Sequence, residues 1–386
     1  MRFRQQRYSR NVKPTGVKAF NPKVSDPAPR SRVATGARKR PKIQDVATLA
    51  GVGVGTVSAV LNQNGRVSVA TRARVQEVIA SLGYRPDLYA SNLARKSTQV
   101  IGLVVSNLQN PFFAETAQAM EEQATRHNHQ ISLMATNFSP ERQRAAVERL
   151  LGARVAGIAV ITSEHDRGAR ELVLASGVPS VFLDVEKPAK NSATIQVDSR
   201  GGMRAAVEHL IELGHRDLLF VRNSEKGSGI TLLSHQLRDK GFASAVRAHR
   251  HLKLNISTVN IAGPGADAGE RAIASVIGRV RFTGVIAVTD MVAMGVYRGL
   301  QACGLRIPED VSVVGFDDTF FCRFLNPPLT TVSISREELS RMAMEALLQP
   351  PGQPAQGQTF LLGTKLIVRE STAPPNPKSR TMREGG

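Results

Sequence analysis

The sequence predicts a chain in two parts: a small all-α head carrying a helix-turn-helix, followed by a larger α/β domain. Three observations predict it. Residues 45–62, DVATLAGVGVGTVSAVLN, read as two short helices around a glycine turn. Between residues 99 and 371, short apolar runs alternate with amphipathic stretches of helix length, the pattern of parallel strands wrapped by helices. The charge is also uneven. Of 51 Lys and Arg, 19 fall in residues 1–99 against 4 acidic residues, while the remaining 32 face 28. A polyanion partner at the N-terminal end is implied, nucleic acid before membrane.

Residues 1–41 hold twelve Lys and Arg and one acid, Asp26, among Pro, Ser and Gly. They are expected to form a disordered basic arm that adds phosphate contacts. The head spans residues 42–85. Ile43, Val46, Ala47, Leu49 and Ala50 give its first helix an apolar side at helical spacing. Asp45 sits in the first turn, where the helix dipole favours an acid. Gly51 ends the helix, as a glycine just past a helix end commonly does. In the second helix Val57, Val60 and Leu61 share one side, leaving Gly55, Ala59 and Asn62 on the other. This is a helix-turn-helix, whose second helix lies in the DNA major groove. Gly51, Gly53 and Gly55 also spell G-x-G-x-G, but a dinucleotide loop needs a strand immediately before it, and DVATLA is a helix pattern. Ser68 stands at the N-cap of a third helix through Leu82, with Val75, Val78, Ile79 and Leu82 inward and Gly83 after its end. Residues 86–98 form a linker. Within it residues 87–96 make a short, weakly apolar helix, marginal by itself.

In the α/β domain, residues 100–105, 131–135, 158–161, 181–183, 218–221, 285–288 and 311–314 read as strands, and 114–126 and 201–213 as helices. Residues 372–386 are Pro-rich and basic without an apolar heptad, so a dimer is expected rather than a coiled-coil tetramer. No apolar run reaches the ~18 residues of a membrane span, and the N-terminus lacks the apolar core of a secretory signal. Two cysteines, Cys303 and Cys322, are too few for a disulfide framework and lack metal-ligand spacing, which fits a reduced, cytoplasmic setting. No nucleophile–base pair, metal cluster or cofactor motif emerges, so an enzyme is not expected. His127 and His129 are expected at the surface; His235 lies near the expected pocket.

From Ile43 through Phe113 the chain resembles the LacI/GalR family of bacterial repressors. The supporting strings are DVATLAGVGVGTVSAVLN, VSVATRARVQEVIASLGYRPDLYASNLA and VIGLVVSNLQNPFF, followed by FLDV, LIELGHRDLLFV, the S-x-x-x-R-x-x-G-F spacing of Ser234, Arg238, Gly241 and Phe242, IPEDVSVVGFDDT and NPPLTTV. Similarity covers about residues 42–370. The resemblance implies a periplasmic-binding-protein-like (type I) α/β domain over residues 99–371, responsible for effector binding and dimerisation. Two subdomains would hinge around a cleft, residues 100–198 with the chain after about 329 forming one, and 199–328 the other. It also implies a homodimer on a pseudo-palindromic double-stranded DNA operator, acting as a repressor under control of a small molecule.

The resemblance places Val54, Gly55 and Ala59 at base edges, and Thr56, Ser58, Asn62 and Ser68 at phosphates. Leu93 falls where paired hinge helices wedge a leucine into a base step, kinking the duplex. The chain departs from the family at Ala59, where arginine is usual. A bidentate Arg–guanine contact is worth about 1–3 kcal/mol of discrimination, and Ala59 cannot make it. Gly53 and Gly55 are expected to weaken the start of the helix by up to ~1 kcal/mol each. The head is therefore expected to lean on shape and phosphate contacts, with Val54 and Ala59 touching thymine methyls.

Effector positions fall on Asn110, Phe112, Phe113, Asp184, Arg238, Thr289, Asp290 and Asp317. Carboxylates, an arginine and aromatic faces suit a sugar or similar polyol. Arg336 is expected at the surface; facing the cleft beside Arg238, it would favour a sugar acid. The loop 223–229 is longer than in many relatives and obscures the effector's identity. A solute-binding protein sharing the α/β fold is the competing class, but it would need a secretion signal and no DNA head.

Overall fold

The computed structural model describes residues 41–61, 65–84, 98–162, 166–185, 192–223, 233–263, 265–349 and 357–376. The basic arm to residue 40, Asn62, Leu93 with nearly all of the linker, the loop 224–232 and the last ten residues lie outside the described residues. The chain divides into two compact units, Met1–Asp87 and Leu88–Gly386.

The head is three helices, α1 (Ile43–Ala50), α2 (Val54–Leu61) and α3 (Val69–Leu82). Lys42 N–H donates to the Asp45 carboxylate at 2.7 Å, which anchors the first turn of α1 from the expected position. Gly51 adopts φ 62°, a left-handed conformation that a side chain disfavours, and α2 leaves at 106° to α1. That angle is the one a helix-turn-helix needs. Val46, Ala47, Ala50, Val57, Val60 and Val75 form the head's core, with Val78, Ile79 and Leu82 packed against it. Ser68 caps α3, its Oγ accepting the Thr71 N–H at 3.2 Å, and Gly83 ends it at φ 58°.

The second unit holds two six-stranded sheets. Its strands are β1 (Val100–Val105), β2 (Gln130–Ala135), β3 (Gly157–Ile161), β4 (Ser180–Leu183), β5 (Ser192–Val197), β6 (Asp217–Asn223), β7 (Asn255–Ile261), β8 (Gly284–Ala287), β9 (Ser312–Asp317), β10 (Thr330–Ile334), β11 (Gln358–Leu362) and β12 (Thr364–Ile367). The first sheet runs β11-β5-β4-β3-β1-β2 and the second β12-β10-β9-β8-β6-β7. All pairings are parallel except β10 with β12. The helices are α4 (Pro111–Arg126), α5 (Pro140–Gly152), α6 (Arg167–Ser176), α7 (Ser199–Glu212), α8 (Leu233–Ala248), α9 (Ala266–Val276), α10 (Asp290–Ala302) and α11 (Arg336–Leu347).

Each sheet and its helices make one lobe, and the chain crosses between lobes at residues 198, 335 and 363. The first crossing falls where the sequence predicts. The return does not occur near residue 329: β10 stays beside β9 in the second lobe, and β12 comes back to that sheet after β11. The reason is visible in burial. Thr330, Thr331 and Val332 are fully enclosed and extend the ladder on Val314, Gly315 and Phe316, so the strand is completed before the chain can leave. The first and third crossings are tied together, Asp198 N–H donating to Leu362 C=O at 2.9 Å and the Thr364 hydroxyl to Asp198 C=O at 3.0 Å.

Candidate functional site

Two surfaces carry the sequence-derived candidates. On the head, Val54 and Gly55 are exposed, and Thr56, Ser58 and Ala59 are half-buried. Gly53 caps α2 instead of lying inside it: its C=O accepts from Thr56 N–H at 2.9 Å and Val57 N–H at 3.2 Å. Glycine is well tolerated at an N-cap, so the destabilisation expected at Gly53 does not apply; only Gly55 sits within the helix. From Val54 to Leu61 the hydrogen-bonding side chains are Thr56 and Ser58. Neither presents the two-pronged polar group that reads guanine or adenine. Exposed Ser68 already spends its Oγ on Thr71.

In the second unit a cleft lies at the carboxyl ends of both sheets, where open α/β folds bind ligands. From the first lobe come Asn110, Phe112, Phe113, Phe138, Thr162 and Asp184. Asn110 caps α4, its side chain accepting the Phe112 N–H at 3.1 Å, and so aims the first turn at the cleft. Phe112 and Phe113 meet edge to face at 5.2 Å, with Phe138 6.4 Å beyond Phe113. Asp184 ends β4 at φ 52°, and its Oδ1 accepts the Val197 N–H at 2.8 Å.

The second lobe contributes Ser199, Ser234, His235, Arg238, Thr289 and Asp317. Gly241 lets α8 lie against α7, since a Cβ there would meet Arg200 O at 2.4 Å. That contact sets the turn of α8 carrying His235 and Arg238. Arg238 donates to Asp317 Oδ1 at 2.8 Å and to Val288 C=O at 2.6 Å, with its guanidinium 3.8 Å from the Phe316 ring centre. Asp317 sits at φ 118°. Both cleft carboxylates thus stand on backbone that non-glycine residues rarely adopt, strain of the kind that gathers at ligand sites.

Burial sets the protonation chemistry. It pushes Asp184 up to about 6, against the Val197 N–H and the charge of Arg238. It pushes Asp317 up to about 6 as well, opposed by Arg238 and reinforced by Asp290. His235 falls to about 3, through burial first and the neighbouring Arg238 second, so its ring is neutral.

Seven of the eight predicted effector positions line this cleft. Asp290 does not. It is fully buried and accepts from Thr319 N–H at 2.8 Å, from the Thr319 hydroxyl at 3.1 Å and from the Thr331 hydroxyl at 2.5 Å. With three donors already on the carboxylate, it is a strut under the loop after β9. Arg336 is not at the surface. Its side chain is 10% exposed and pairs with Glu115 at 3.2 Å, while Nη1 donates to the carbonyls of Asp317 and Ile334. The expectation missed Phe138, Thr162 and Ser199. Phe138 follows a strand in a left-handed turn at φ 60°, and the other two are small polar residues of a kind common in any loop. Among the described residues no group of His, Cys, Asp and Glu could hold a metal ion, and no single helix is long and apolar enough to cross a membrane.

Residues 42–87 match the bacterial regulatory proteins of the lacI family, and residues 207–372 match a periplasmic binding protein-like domain. The HTH-type transcriptional regulator DegA of Bacillus subtilis is 30% identical, the match covering 86% of this chain and 98% of DegA. The HTH-type transcriptional regulator GalR of Salmonella typhimurium is 32% identical over 86% of this chain and 96% of its own. The lac repressor dimer bound to operator and the anti-inducer ONPF has a similar structure, with TM-score 0.75, 30% identity, and coverage of 87% of this chain and 100% of that one. A helix-turn-helix head and a two-lobed α/β domain, matched along nearly the full length of such regulators, establish that the chain belongs to the lacI family of transcriptional regulators.

Proposed function

We propose that this DNA-binding transcriptional regulator is a homodimeric repressor of a pseudo-palindromic operator, controlled by an uncharged, polyhydroxylated small molecule of the sugar class. In this reading residues 42–85 bind the operator through Val54, Gly55, Thr56, Ser58, Ala59, Asn62 and Ser68. Leu93, in the linker 86–98, supplies the minor-groove wedge. Residues 99–371 bind effector and dimerise. Occupancy of the cleft shifts the population between lobe arrangements, and so the spacing of two heads. The protein then works in the cytoplasm, where its DNA is, and catalyses nothing.

The observation that carries the effector class is how the cleft's charges are already matched. Arg238 is bonded to Asp317, Arg336 to Glu115, and His235 is neutral. Among the described cleft residues each cation has a carboxylate partner, which weakens the argument for a sugar acid. Asp184 keeps Oδ2 to accept a ligand hydroxyl, since Oδ1 takes Val197 N–H, and three phenylalanines offer an apolar face. Hydroxyl donors on one side and C–H faces on the other describe a neutral sugar.

A thermal-shift screen of the full chain tests this, because a ligand that binds only the folded state raises its midpoint by mass action. D-ribose, D-xylulose and cellobiose represent neutral sugars, D-gluconate sugar acids, and hypoxanthine purines. Stabilisation by a neutral sugar and not by gluconate or hypoxanthine is the expected result. Duplex binding measured with and without the stabilising sugar, over a range of salt, then tests the regulatory half; binding with no salt dependence and no response to sugar would contradict it.

A further inference from the structure

Three buried polar atoms on cleft-lining residues have no hydrogen-bond partner: Ser199 Oγ, His235 Nδ1 and Arg238 Nε. Ser199 is 1% exposed, His235 8% and Arg238 4%. Buried polar groups are almost always paired, and an unpaired one calls for a reason. Here all three belong to the second lobe and border a single cavity. Ser199 opens α7 at the first crossing, and His235 and Arg238 lie one turn apart on α8. Arg238 is bonded through its two terminal nitrogens, and Nε is its nitrogen without a partner.

We infer that Ser199 and His235, with the Arg238 Nε–H beside them, form a polar subsite of the cleft that reads one uncharged hydroxyl of the effector. This rests on the proposed effector reading and deepens it. A hydroxyl both donates and accepts, which matches a serine hydroxyl and an imidazole nitrogen at once. A carboxylate or phosphate is a poor fit, because among the described residues the Arg238 charge is matched by Asp317 and that of Arg336 by Glu115. The ring of His235 remains neutral far below pH 5, held there by burial and by Arg238, so the subsite's selectivity does not titrate across the physiological range. Asp184, on the opposite lobe, grips a different hydroxyl. The ligand is thereby held from both lobes, which is what a closing cleft requires.

The test pairs two variants of the full chain, His235→Phe and Ser199→Ala, measured by thermal shift and calorimetry with D-ribose, D-xylulose and cellobiose. Each variant removes an unpaired polar atom, so the unliganded midpoint is expected to hold or rise, by up to about 2–4 °C. Affinity for the neutral sugar that stabilises the unaltered protein is expected to fall roughly tenfold or more in each, because a site built around a hydroxyl loses its bonds. One monodeoxy derivative of that sugar should bind the unaltered protein as weakly as the parent sugar binds the variants, and lose nothing further in them. Unchanged sugar affinity in both variants, with a lowered unliganded midpoint, would make His235 and Ser199 structural and overturn the subsite while leaving the effector reading intact. Should phenylalanine at 235 prevent folding, Ser199→Ala decides alone by the same two readings. Binding of gluconate in place of any neutral sugar, or of no probe at all, would instead overturn the effector reading, and the subsite with it.

Discussion

Glu115 and Arg336 are paired at 3.2 Å on the first-lobe side of the second crossing, and the other carboxylate oxygen of Glu115 accepts the Phe320 N–H of the second lobe at 2.8 Å. Glu115 stands on α4 in the first lobe, Phe320 on the loop after β9 in the second, and Arg336 at the second crossing. Arg336 also covers Phe112, 5.1 Å from its ring centre, and holds the Asp317 carbonyl. One carboxylate therefore ties both walls of the cleft to the hinge. Glu115→Gln keeps an acceptor for Phe320 and removes the ion pair. Stability should drop by only about 1 kcal/mol, since Glu115 is partly solvated. Amide hydrogen exchange at residues 320–324 should accelerate and effector affinity should fall severalfold. Exchange as slow as in the unaltered protein would show that the pair does not hold the lobes.

Asp290 supports that same loop from beneath. Its carboxylate accepts from Thr319 and Thr331 with no exposure to solvent. Asp290→Ala strands those buried donors, at about 1–3 kcal/mol for each unsatisfied group. A fall in the urea midpoint is expected, with effector affinity reduced only as far as Asp317 shifts. A variant of native stability that binds no effector would return Asp290 to the ligand-contact role expected from the sequence.

Much of this was legible in the sequence, and the gaps have physical causes. The glycine at 51, the serine cap at 68 and the core of the head announce themselves because each solves a local backbone problem. Strands β1, β3, β4 and β8 are continuous apolar runs because both faces are covered. β5 escaped notice because SATIQV is small and polar, although five of its six residues are buried. β7 and β11 are edge strands with exposed positions, so their pattern is diluted. Family spacing leads to Asp184, Arg238 and Asp317, and all three line the cleft. Family spacing leads to Asp290 as well, which does not line the cleft, because spacing says nothing of which way a carboxylate turns at a helix start. Arg336 was expected at the surface because the fold's crossing points, and hence its burial, depend on strand order.

Asp184 makes a pH prediction. Its carboxyl is raised from the ordinary 3.8 to about 6, so between these values the folded chain binds more protons than the unfolded one. By linkage its contribution to stability is fully present below about pH 4 and lost as pH rises through 6. Asp184→Asn keeps an acceptor for Val197 and removes the titration. The variant should be more stable than the unaltered protein at pH 8, by an amount on the order of a few kcal/mol, with the difference shrinking toward pH 4. Urea unfolding at pH 4, 6 and 8 checks this; a difference independent of pH would mean that Asp184 is not the titrating group. His209 and His215, both lowered by burial, act in the opposite sense, losing stability as pH falls below their unfolded value near 6.5. They are common to both proteins, so the comparison cancels them.

Leu93→Ala tests the wedge. An apolar wedge offsets the few kcal/mol of unstacking through the contacts that a kinked duplex allows. Operator affinity should fall by tenfold or more while the thermal midpoint of the free protein hardly moves. Matching losses of affinity and midpoint would make Leu93 a packing residue.

The reading surface of α2 makes the last prediction. Val54 is 41% exposed, and Thr56 and Ser58 each offer a single hydroxyl, without the two adjacent polar atoms of a bidentate contact. Direct readout by the described residues of α2 is then expected to rest chiefly on apolar contact with thymine methyls, with phosphates and groove shape supplying much of the rest. Selection from a random duplex library should return a consensus richest in thymine where α2 lies. Replacing one such thymine by uracil, which differs only in the methyl group, should weaken binding severalfold in the unaltered protein and leave a Val54→Ala or Ala59→Gly variant less affected. Ala59→Arg supplies the missing bidentate group, and a new guanine should appear in the consensus, favoured by about 1–3 kcal/mol. A consensus unmoved by the arginine would mean that residue 59 does not face base edges, and the head would then have to dock on DNA by another face of α2.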